Sequence, residues 1–137
     1  MNKNKPDCDH CGKELTVGDH PSCCSNCWEE NAKYYDTNLK NTEGITLLNR
    51  DSRMDSSFWI YSLLVDRKDE FMLYMKKCGI MVSQVHERND IHSCVKEFKT
   101  HLPMLDKVTP KLISIPVGWW VTNKQREYIV ECIKKGW

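Results

Sequence analysis

FWIYSLLVDRKDEFMLYMKKCG, residues 58–79, places a strand and a helix back to back. Over residues 58–65 apolar side chains fall on both faces of an extended chain, which marks a central strand rather than an edge. The period then changes: Phe71, Met75 and Cys78 share one helical face. The pattern predicts a helix over 67–78, capped by Asp66 with Asp69 three residues on. Lys76 and Lys77 suit its last turn, and Gly79 stops it.

Working outward, IMVSQV (80–85) reads as another strand. A loop holding Pro103 and Pro110 leads to a strand at ISIPV (113–117), and Thr122 with Gln125 forms a capping box for a last helix running to Gly136. Upstream, residues 28–41 read as a helix, with Glu29 and Glu30 in its first turn, and ITLL (45–48) as a short strand. The expected fold class is α+β: a small three- or four-stranded sheet with helices on one face, preceded by a small cysteine-rich module. Residues 1–27 form that module and 28–137 the second domain.

At 137 residues, 40% of them hydrophobic, the chain has room for one modest core. A net charge of +1 removes bulk attraction to nucleic acid or anionic membrane. No apolar run approaches the roughly 20 residues of a spanning helix, and MNKNKPDCDH has no apolar stretch behind its lysines to make a secretory signal. The expected location is cytoplasmic, or packaged in a virion.

Five of the eight cysteines lie within the first 27 residues. Cys8, Cys11, Cys24 and Cys27 form C-x2-C-x12-C-x2-C, two close pairs of soft ligands that suit tetrahedral Zn²⁺. Gly12, just after the second ligand, suits the positive φ of such a turn. Four thiolates argue for a closed, structural ion rather than a catalytic one. A segment this short buries almost nothing, so the metal would supply its folding energy. Cys23 could replace Cys24, and His10 or His20 could replace a cysteine. A hairpin around Gly18 followed by a helix carrying ligands gives a treble-clef-like arrangement; a zinc ribbon is the alternative. Three lysines against four acidic residues in 1–27 argue on charge against nucleic-acid binding.

Several motifs in order then carry a resemblance: ENAKYYDTNLKNTEGITLL (30–48), SSFWIYSLLVDRKDEF (56–71), CGIMVSQVHERNDIHS (78–93), HLP (101–103) and SIPVGWWVTNKQREYIVECIKKGW (114–137). Together they resemble the C-terminal small domain of the DegT/StrS family of PLP-dependent sugar aminotransferases. The resemblance implies that the PLP site, with its Schiff-base lysine, belongs to a large domain upstream of the part seen here, so this chain alone would bind no PLP. Lys68, Lys76, Lys77, Lys134 and Lys135 match no such lysine and are expected on exposed helix positions. It also implies that His86, Arg88, Asn89, Asp90 and His92 occupy a substrate-facing loop, here a vestigial one. Trp119, Trp120 and Trp137 read as packing or partner contacts ahead of a sugar platform, and Cys78, Cys94 and Cys132 as core or helix-face residues.

The function expected is non-enzymatic: a zinc-stabilised domain derived from an aminotransferase and used for protein–protein contact or self-association. One alternative is the small-domain half of a split aminotransferase working with a separately encoded PLP domain. A zinc-dependent nucleic-acid or regulatory module is the other.

Overall fold

The computed structural model describes residues 8, 11–14, 25–51, 53 and 56–137. In chain order these form α1 (Ser25–Asn38), β1 (Ile45–Leu47), β2 (Tyr61–Val65), α2 (Lys68–Lys77), two 3₁₀ turns (Asn89–Ile91 and Ser93–Phe98), α3 (Pro103–Val108), β3 (Leu112–Ile115) and α4 (Asn123–Lys135).

β2 is the central strand of a three-stranded antiparallel sheet ordered β1-β2-β3. Thr46 stands opposite Leu64, and Leu63 opposite Ile113. Tyr61, Leu63 and Val65 are fully buried, while the intervening Ser62 and Leu64 are half-buried. The strand begins at Tyr61 rather than at residue 58 because Phe58 adopts a left-handed backbone, φ 49°, that no extended strand accommodates.

The expected strand over 80–85 shrinks to one bridge. Ser83 and Ser114 exchange backbone bonds of 3.1 and 2.9 Å, and nothing beyond them pairs among the described residues. The Ile80 N–H is already spent on the Met75 carbonyl at 2.9 Å, closing the end of α2, so the ladder cannot start there. The sheet therefore has three strands, not four.

Asp66 does not cap α2. Arg67 holds the N-cap position in left-handed backbone, with no side-chain cap bond. The Asp66 carboxylate instead accepts from Lys111 Nζ at 2.8 Å, and its carbonyl accepts the Trp137 indole N–H at 2.9 Å. α1 starts at Ser25, three residues before the expected start, which moves Glu29 and Glu30 out of its first turn. There they form ion pairs instead: Glu29 with Lys33 at 2.6 Å, and Glu30 with Lys13.

The capping box of α4 forms as read. Thr122 Oγ1 accepts the Gln125 N–H at 3.3 Å, and Gln125 Oε1 accepts the Thr122 N–H at 2.9 Å. Buried residues of α1 (Ala32, Tyr35, Leu39), α2 (Phe71, Met75) and α4 (Ile129, Val130, Cys132, Ile133) make one cluster with Tyr61, Leu63, Val65, Ile113 and Ile115. Fully burying one such side chain contributes about 1.5–3 kcal/mol, so this cluster is the main source of stability. Trp137 closes it from the C-terminal side, edge-on to Phe71 with ring centroids 4.8 Å apart.

Candidate metal centre

The cysteine site is built on a tight turn and a helix start. The Gly12 N–H donates to the Cys8 carbonyl and the Cys8 N–H to the Lys13 carbonyl, both at 2.9 Å. Gly12 sits at φ +66°, a conformation that glycine adopts without strain. The turn directs Cys8 and Cys11 toward Cys27, which lies in the first turn of α1. All three sulfurs lie within 4.8 Å of one another, and Cys8 Sγ is 3.8 Å from Cys27 Sγ. Sulfurs bound tetrahedrally to zinc at about 2.3 Å would stand about 3.8 Å apart, so this trio fits three corners of such a site. Cys24, Cys23, His10, His20 and the hairpin expected at Gly18 lie outside the described residues.

The trio is attached to the rest of the fold. Cys8 and Cys27 are buried, and Cys11, Trp28 and Trp119 pack against them. Trp120 continues the aromatic group, edge-on to Trp28 at 6.4 Å and to Trp119 at 5.7 Å. Gly118 is required beneath it, since a Cβ there would run into the Trp120 ring. Lys13 pairs with Glu30 and ties the turn to α1. One turn on, the buried Asn31 donates its amide N–H groups to the carbonyls of Val117, Gly118 and Val121 at 3.1–3.2 Å. Arg126 Nη1 donates to Asn31 Oδ1 at 3.2 Å, and its guanidinium covers the Tyr34 ring at 4.7 Å. A cleft of about 660 Å³ runs from Cys11 and Cys27 past Asn31 to Lys124 and Arg126. The sequence marked the cysteines by spacing. It gave no signal for Asn31 or Arg126, whose partners lie about 90 residues away.

The loop containing His86, Arg88, Asn89, Asp90 and His92 forms a separate group. Arg88 is held by Asp90 at 2.5 Å and by Asp106. The Arg88 hydrogen bond keeps the Asp90 carboxyl below the usual carboxylate range, and the two carboxylates hold the guanidinium firmly in its charged form. With its charge already answered from within the chain, Arg88 is poorly placed to grip a phosphate. His86 lies edge-on to Trp59 at 6.3 Å, and Asn89 and His92 are exposed around the first 3₁₀ turn.

The family model for the DegT/DnrJ/EryC1/StrS aminotransferase family matches residues 25–134. Over 110 residues the chain is 21% identical to the erythromycin biosynthesis sensory transduction protein EryC1 of Saccharopolyspora erythraea, covering 77% of this chain and 30% of that protein. Among solved structures it is similar to the sugar aminotransferase CalS13 of Micromonospora echinospora, with 41% identity and a TM-score of 0.80, and to AtS13 of Actinomadura melliaura, with 42% and 0.80. Both matches cover 82% of this chain and 30% of the other. The chain thus spans about 30% of the length of the relatives it matches.

Lys68 does not suit the Schiff-base role of a PLP site. Only one described lysine, Lys68, is withdrawn from solvent, contrary to the exposed position expected for it. Its ammonium is held by Gln84 Oε1 at 2.7 Å and the Thr109 carbonyl at 2.9 Å. An amine committed to two acceptors is poorly placed to form an imine.

Proposed function

The chain belongs to the DegT/DnrJ/EryC1/StrS aminotransferase family, and from that premise we propose that it works without catalysis, as a zinc-stabilised interaction module made from an aminotransferase small domain. The observation that carries this reading is the seating of three cysteine sulfurs, within 4.8 Å of one another, against Trp28 and Trp119 of the family domain. Zinc held by Cys8, Cys11, Cys24 and Cys27 would lock the start of α1 and present the domain as one rigid body. The contact would be with a protein partner or a second copy. Support for it comes from the 3₁₀ turns and α3, which contain no buried residue and leave Phe98 80% and Met104 69% exposed. Among the described residues no helix is long and apolar enough to cross a membrane.

The competing reading, half of a split aminotransferase, is favoured by the 41–42% identity to CalS13 and AtS13. Mixing the protein with PLP and reducing with borohydride separates the two. The proposal expects only scattered, substoichiometric labelling of surface lysines. One stoichiometric adduct on a single lysine would overturn it. Sedimentation at high concentration is expected to show self-association, or a monomer that recovers a defined partner from its native source. A monomer without a partner would contradict the interaction role.

A further inference from the structure

Away from the metal centre, α2 and α4 meet at a second pair of cysteines. Cys78 follows the last residue of α2, and Cys132 lies in α4. Two tyrosines, each four residues before one of these cysteines, hold the helices together reciprocally. Tyr74 donates its hydroxyl to the Cys132 carbonyl at 3.1 Å, and Tyr128 donates to the Cys78 carbonyl at 3.2 Å. Cys78 packs against the buried cluster that contains Cys132. The side chains also lie near enough to bear on one another's charge: the Cys78 thiol acts on the Tyr74 hydroxyl and on the Cys132 thiol, and Cys132 acts on the Tyr128 hydroxyl. Neither cysteine has a place in the zinc site.

We propose that Cys78 and Cys132 are a redox pair, which a hydroperoxide oxidises to a disulfide that clamps the end of α2 onto α4. The two differ in access. Cys132 is 2% exposed, whereas Cys78 is half-buried, and Tyr128 beside them is 46% exposed, so the pair lies just inside the surface. Cys78 is therefore the sulfur oxidised first, and Cys132 the one that resolves it. Burial pushes the Cys132 thiol up, which fits the second role better than the first.

In the first step the Cys78 sulfur attacks one peroxide oxygen and the O–O bond breaks. The departing oxygen takes the thiol proton and leaves as water, or as an alcohol from an organic hydroperoxide, and Cys78 becomes a sulfenic acid. In the second step the Cys132 sulfur attacks Cys78, an S–S bond forms and the S–OH bond breaks. The hydroxide takes the Cys132 proton and leaves as water. Two thiols give up two electrons and the peroxide accepts them. A small dithiol reverses the change by exchange. Because α2 and α4 both anchor the main core, the clamp would stiffen the domain and shrink its unfolded ensemble.

The test uses the full chain, reduced, loaded with zinc, and treated with graded hydrogen peroxide before alkylation and peptide mapping. The expected product is one peptide pair joined through Cys78 and Cys132, released by dithiothreitol. Cys78→Ser and Cys132→Ser each abolish it, and Cys94→Ser leaves it unchanged. The oxidised wild-type chain also melts several degrees higher than the reduced one, a rise that Cys78→Ser lacks. Recovering both cysteines alkylated would overturn the proposal. So would finding Cys78 as sulfinic or sulfonic acid with no link, or finding the link only in denaturant.

Discussion

Asn31 shows how much one buried polar side chain can organise. It is 3% exposed, it satisfies three carbonyls of the 117–121 turn, and it takes a bond from Arg126. Truncation leaves several buried polar groups without partners, at about 1 kcal/mol or more each. Asn31→Ala is expected to lower stability by about 3 kcal/mol, read as a shift in urea midpoint; a change within experimental error would contradict this role. Nothing in the sequence marked Asn31, because an asparagine in a helix reads as a surface residue until its partners are known. The buried phenols of Tyr35 and Tyr61 give a second prediction. Burial, ahead of any neighbouring charge, pushes both well above the ordinary tyrosine value. In the unfolded chain they ionise near pH 10, while in the fold they keep their protons. The unfolded state then holds fewer protons than the native one, so stability is complete below about pH 10 and is lost as pH rises beyond it. Urea midpoints should hold steady to about pH 9 and fall by about pH 11, less steeply in Tyr61→Phe.

Elements were legible where their signals are local. The α4 capping box joins residues three apart, and the structure forms it. Thr122→Ala should cost about 1 kcal/mol, seen as a lower thermal midpoint with the zinc content unchanged; no shift would show that the cap contributes nothing. β2 was readable as a central strand because its apolar run keeps both faces from solvent, and β1 and β3 pair with its two edges. Elsewhere long-range partners override the local signals. Asp66 looked like a cap, but Lys111, Trp137 and Gly44 take its carboxylate, its carbonyl and its N–H. The run at 80–85 looked like a strand, but Ile80 is spent on closing α2 and Met81 is 85% exposed.

The whole molecule is an α+β chain of the aminotransferase family with a cysteine turn packed against the start of α1. The cysteine spacing announced the ligand types but not their seat. That seat depends on Trp28 and Trp119, 91 positions apart, which no local pattern connects. Of the substrate-loop residues read by resemblance, Arg88 is occupied by Asp90 and Asp106, an arrangement that only the fold of 88–106 brings about. Zinc at the cysteines would stabilise a different part of the chain from the core, so Cys8→Ser should raise amide exchange at residues 11–14 and 25–30 and leave β2 and β3 protected. Loss of protection in β2 would show that the two parts fold as one. The zinc content of the wild-type chain, purified without added metal and measured by elemental analysis, decides whether these cysteines form a metal centre. One zinc per chain is expected, lost in Cys8→Ser. Well under half an equivalent in the wild-type protein would contradict it.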